Sequence, residues 1–86
     1  MDLTPGMIVR VSRFSQKSFL LYKSMKKKFP MITCACRWKN SILAVVDSIY
    51  ENGIIILTQK DNPNVIGVCY YTDIESVYEV NINIER

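Results

Sequence analysis

Two sets of side chains in this 86-residue chain have the types and spacing to do chemistry. The first is Lys23, Lys26, Lys27 and Lys28, flanked by Tyr22 and Phe29 and followed by Arg37. Cations bind phosphate without reading sequence, and aromatic rings offer a face to an unpaired base. Arg10, Arg13, Lys17 and Lys39 extend the same basic surface in the sequence. The alternative is a solvated lysine face over an amphipathic helix whose aromatics belong to the core. The second set is Cys34-Ala35-Cys36. On a strand these thiols share one face, about 7 Å apart. Zinc would need two further ligands, and only Cys69 and carboxylates remain. The simplest role is packing, as small apolar groups beside Trp38. A redox pair is the other reading, with Arg37 favouring thiolate if Cys36 is exposed.

Catalytic constellations are otherwise missing. There is no histidine, which removes the commonest general base and metal ligand. The acids fall singly at turns and on alternating strand faces, and the three glycines are too dispersed for a phosphate loop. The expectation is a binding module, not an enzyme, with no metal and no cofactor.

Charge is divided along the chain. Residues 1–43 carry nine Lys and Arg against Asp2 alone, a net +8. Residues 44–86 carry two against seven acids, a net −5, and the whole is +3. Such polarity favours a polyanionic or acidic partner unless the halves neutralise one another on folding. A composition of 49% hydrophobic and 22% charged residues is globular, and the length suits one domain, 1–86. The first residues have no basic and apolar leader pattern, and the apolar run 41–46 is too short to span a bilayer. Three cysteines, an odd number, fit reduced thiols. A cytoplasmic protein without membrane contact is expected.

Positioning falls to a set of short elements. Met7, Val9 and Val11 alternate on a strand after the Pro5-Gly6 turn. Phe19, Tyr22, Met25 and Phe29 recur at helical spacing, Ser15 is a candidate N-cap, and Pro30 ends the pattern. A short basic amphipathic helix is expected over about 15–29, with a long excursion loop as the alternative. A strand is expected over 31–38, placing Ile32, Cys34, Cys36 and Trp38 on one face. The runs 42–51 and 54–59 flank Asn52-Gly53 and predict a hairpin closed by a type I′ turn. A polar turn over 60–64, a strand over 65–71, a one-turn break at 72–74 and an alternating strand over 76–84 complete the chain.

The opening 3–11, the long excursion, the Asn52-Gly53 hairpin, a third strand and the break at 71–74 before the last strand resemble SH3-like barrels. The helix followed by five strands over 15–84 also resembles Sm-like domains. The resemblance implies a mainly β, five- to six-stranded barrel with one short helix. Neither the aromatic ligand motif of eukaryotic SH3 domains nor the acidic-glycine signature of Sm proteins is evident, so no site residue is carried over.

The leading functional expectation is RNA or DNA bound by the basic surface of Arg10, Arg13, Lys17, Tyr22, Lys23, Lys26, Lys27, Lys28, Arg37 and Lys39. A protein partner is the alternative, met by a strand edge or by Tyr50, Tyr70, Tyr71 and Tyr78, with the chain acting as an adaptor or inhibitor. Self-association through the oppositely charged halves is a third route. The Ile-, Lys- and Asn-rich usage fits an AT-rich genome, such as a phage or mobile element.

Overall fold

The computed structural model of the chain describes residues 2–11, 14–38 and 42–78. Six strands form one sheet: β1 (Ile8–Val11), β2 (Ile32–Cys34), β3 (Leu43–Ile49), β4 (Ile54–Gln59), β5 (Asn62–Tyr70) and β6 (Ile74–Tyr78). One helix, α1 (Gln16–Lys26), lies in the excursion between β1 and β2. One-turn 3-10 helices follow β2 (Ala35–Arg37) and β5 (Tyr71–Asp73).

The sheet runs β2-β5-β4-β3-β1-β6. All pairs are antiparallel except β2 with β5, which is parallel and aligns Thr33 with Gly67. The excursion through α1 supplies the long crossover that a parallel pair requires. β2 and β6 stand at opposite ends and do not pair, so the sheet is open where a closed barrel was expected. Mainly β character, six strands and a single helix among the described residues agree with the sequence. The alternating strand expected over 76–84 passes beyond the described residues after Tyr78.

The turns show how local chemistry sets the register. Thr4-Pro5-Gly6-Met7 is closed by Met7 N–H donating to Thr4 C=O at 3.2 Å, with Gly6 at φ 95°. Proline second and a positive-φ glycine third make a type II turn. Gly6 N–H then reaches Val46 C=O at 2.8 Å, which pins the turn to β3. The β3–β4 hairpin differs from the expected type I′ form. Gly53 N–H donates to Tyr50 C=O at 3.0 Å, and Gly53, at φ 83°, is the one residue of the turn with positive φ. A type I turn therefore precedes a left-handed glycine, as in three-residue hairpin loops. Asn52 needs no unusual conformation.

The core is apolar and small in its side chains: Val9, Val11, Ala44, Val46, Ile55, Leu57 and Cys69, with Cys34, Ala35, Cys36 and Ile74 at its end. Residues 31–38 do not form the single strand expected. The extended run ends at Cys34 and coils into a 3-10 turn, which turns Cys36 into the core and leaves Trp38 half-buried. β5 conversely starts at Asn62, so the polar turn before it shortens to Lys60-Asp61.

Trp38 lies on Gly67. A Cβ at Gly67 would sit 2.8 Å from Trp38 Cη2, closer still to Cζ2, and 3.0 Å from the Ala35 methyl. Gly67→Ala is therefore expected to displace the indole and cost about 1–3 kcal/mol through overpacking. A lowered urea midpoint for the variant, with an altered Trp38 emission maximum, is the expected readout.

Candidate functional site

The helix begins where a serine can serve it. Ser15 is extended (φ −135°, ψ 142°), and its Oγ accepts from Ser18 N–H at 3.1 Å, satisfying one of the unpaired donors of the first turn. Lys23 and Lys26 lie in the last turn, where the helix dipole favours cations. Pro30 biases Phe29 away from helical geometry.

α1 rests Phe19 and Tyr22 against the core and adds a buried polar contact. Ser18 is the residue it buries, fully shielded from solvent. The Ser18 hydroxyl donates to Asp73 Oδ2 and accepts from Tyr70 N–H at 3.0 Å. Ser15 Oγ donates to the same carboxylate oxygen at 3.0 Å, and Cys36 Sγ lies 3.5 Å from it. Asp73 is 3% exposed. One buried carboxylate thus ties the start of α1, the 35–37 turn and the 71–73 turn together. No buried side-chain N or O atom among the described residues lacks a hydrogen-bond partner.

This tie places α1 beside the 35–37 turn, and a groove of about 790 Å³ opens between them. Its lining is Phe19, Tyr22, Lys23, Lys26, Lys27, Thr33, Cys34, Arg37 and Trp38. Four of the nine are cations, three are aromatic, and none is a carboxylate. Phe19 and Tyr22 meet at 5.9 Å between ring centroids. Lys23 Nζ and the Arg37 guanidinium each lie 5.7 Å from the centre of the Phe19 ring. Lys26 Nζ donates to Tyr22 Oη at 3.0 Å and stands 5.4 Å from its ring centre. Trp38 Nε1 donates to Thr33 Oγ1 at 3.3 Å, and Thr33 Oγ1 donates to Ile66 C=O at 2.7 Å, which fixes the indole as the far wall.

Of the expected site residues, Tyr22, Lys23, Lys26, Lys27 and Arg37 are brought together in this groove. Arg10 lies on β1 between β3 and β6, away from it. Lys17 instead stands 4.3 Å over the Tyr70 ring. Lys28 lines a separate concavity of about 410 Å³ with Met25, Phe29, Pro30 and Met31. Arg13 and Lys39 lie outside the described residues. The helical stripe is split accordingly: Phe19 and Tyr22 line the groove while resting on the core, whereas Phe29 is 57% exposed. Phe19, Thr33 and Trp38 are groove residues that composition alone had assigned to core or strand faces. The i, i+4 pairing of Phe19 with Lys23 is a sequence signal for Phe19, whereas Thr33 and Trp38 reach the groove only through the tertiary fold.

The cysteines are free thiols, all buried. Burial pushes the Cys36 thiol up to about 11, and burial raises Cys69 as well. Arg37, turned to Phe19, does not activate Cys36 as a thiolate. Among the described residues no group of three or more Cys, Asp or Glu side chains is disposed to hold a metal ion, and no helix is long and apolar enough to cross a membrane.

The fold and groove define a small β-rich scaffold bearing one basic, aromatic-lined concavity. No family model and no solved structure matches the chain. A 4-hydroxy-3-methylbut-2-enyl diphosphate reductase of Dictyoglomus turgidum is 32% identical to it over 82 residues. That similarity covers 94% of this chain and 29% of the reductase, so the chain spans under a third of that protein's length.

Two outcomes follow from the buried tie. Asp73→Ala leaves two hydroxyls and a thiol without their acceptor and is expected to cost roughly 1–3 kcal/mol, the range for buried donors left unsatisfied. Urea unfolding measures it. The thiols set a second expectation. In the unfolded chain they ionise near 9.0, whereas the fold keeps Cys36 protonated to about 11. Above pH 9 the unfolded state therefore sheds protons that the native state holds, and stability falls as pH rises toward 11. Urea midpoints across that window should decline, less steeply in Cys36→Ala.

Proposed function

We propose that this chain is a non-enzymatic binding module on an SH3-like scaffold, and that it engages nucleic acid through the groove between α1 and the 35–37 turn. The observation that carries the reading is the groove's composition: Lys23, Lys26, Lys27 and Arg37 around Phe19, Tyr22 and Trp38, with no carboxylate among them. Cations so clustered repel one another and are relieved by a polyanion, which releases its counterions on binding. The succession of β1, helix-bearing excursion, β3–β4 hairpin, β5, one-turn break and β6 supports the scaffold assignment. So does the return of β6 to pair with β1.

The exposed Tyr50 and Tyr71 side chains favour a second reading, a protein partner, because tyrosine contributes contact area at low entropic cost. A pull-down from nuclease-treated lysate separates the two: a partner retained by a Lys23/Lys26/Lys27→Glu variant supports the tyrosine face.

For nucleic acid, affinity for mixed oligonucleotides should fall linearly in a log–log salt titration. Four phosphate contacts at about 0.7–0.9 each give a slope of about −3 to −4. Arg37→Ala should reduce the slope by about one contact, and the triple Glu variant should abolish binding. Absence of binding at low salt, or affinity indifferent to salt, would overturn the proposal.

A further inference from the structure

The aromatic residues are not needed to attract a phosphate chain, yet they make up a third of the groove lining. We infer that the groove takes single-stranded nucleic acid, with bases stacked against Tyr22 and Trp38 and phosphates held by Lys23, Lys26, Lys27 and Arg37. This inference rests on the nucleic-acid reading above and narrows it to one class of ligand.

The shape of the site argues against a duplex. Duplex DNA stacks its bases on one another and turns its phosphates outward. A protein reads it by projecting a helix or ribbon into a major groove about 12 Å wide. Here the basic face of α1 is one wall of a concavity whose other wall is Trp38. A duplex laid across this mouth would touch lysine tips and leave the three rings unused. A single strand exposes the π faces of its bases, and such strands are bound by a basic channel that tracks the backbone and by rings on which bases stack.

The rings are held in the way stacking platforms need. Trp38 is half-buried and fixed by Thr33 Oγ1 on one side and the bare backbone of Gly67 on another. Tyr22 is half-buried, packed against the core and tilted 37° to Phe19. Neither ring must be ordered at the moment of binding, so little rotamer entropy opposes the contact. The cations also stand against the rings they would yield to a base: Lys26 at Tyr22, Lys23 and Arg37 at Phe19. A cation on an exposed ring is held weakly compared with a stacked base. As a base approaches Tyr22, Lys26 can swing from the ring to the adjoining phosphate, so one displacement makes two contacts.

The test uses the chain's single tryptophan as its reporter. A labelled mixed-sequence RNA strand, its annealed duplex and inorganic polyphosphate are titrated at equal phosphate concentration. The strand is expected to bind about ten-fold or more tighter than the duplex and to quench Trp38 emission, while polyphosphate binds without quenching. Tyr22→Leu should weaken the strand about five-fold or more, Tyr22→Phe should stay within about two-fold, and both should keep the polyphosphate affinity, which also shows that they fold. Equal, salt-dependent binding of strand and duplex overturns the single-strand inference and leaves the basic-surface reading standing. So does a strand affinity unchanged in Tyr22→Leu. Failure of all three ligands to bind at low salt overturns both.

Discussion

The carboxylate of Asp73 sits in the protein interior and collects donors from three places: the Ser15 cap, the Ser18 hydroxyl and the Cys36 thiol. A buried carboxylate is costly unless it is fully hydrogen-bonded, and here the first turn of α1 supplies the bonds. The arrangement has a direction. Tyr70 N–H gives to Ser18, Ser18 N–H gives to Ser15, and both hydroxyls give to Asp73. Each hydroxyl is spent once as donor and once as acceptor, so the set fits in only one way. The carboxyl group also lies at the helix N-terminus, the end whose free N–H groups favour acceptors. The position of α1 on the sheet is therefore specified by this polar geometry together with the packing of Phe19 and Tyr22 against the core.

The groove follows from that placement. The start of α1 and the 35–37 turn share one anchor, so the distance between the groove's two walls is set at a single point. Trp38 completes the wall because position 67 carries no side chain. β5 thus contributes twice: Gly67 makes room for the indole, and Ile66 C=O receives Thr33 Oγ1, which holds the indole nitrogen. The parallel pairing of β2 with β5 brings these parts into register.

Strands with a plain alternating or β-branched pattern were legible in the sequence: β1, β3, β4 and most of β5 lie where periodicity places them. So were the Ser15 cap and the one-turn break before β6, whereas α1 ends at Lys26, one turn short of the stop expected at Pro30. What was not legible depends on partners distant in sequence. Ser18 looks like a neutral helix residue until Asp73, fifty-five positions away, is brought against it. Cys34 to Trp38 alternates like a strand, but the chain coils at Ala35 so that Cys36 can reach the same carboxylate. The hairpin was readable at Asn52-Gly53 although its turn type was not, because only Gly53 needed positive φ. Of the basic surface, the helical lysines facing Phe19 and Tyr22 could be found from spacing. Arg37 joins them only through the tertiary fold, and Arg10 and Lys17 have the charge without the place.

β2 is three residues long and forms one end of the sheet. A longer, flatter edge there would offer a row of unpaired amides and carbonyls to any other extended chain, the usual seed of fibril growth. Instead the strand stops at Cys34 and the backbone turns its next donors into a 3-10 coil. The same coil that carries Arg37 to the groove thus ends β2 after three residues, paired with β5 at Ile66, Gly67 and Val68. A chain rich in β-branched residues keeps this edge strand short through the same turn that shapes the candidate groove.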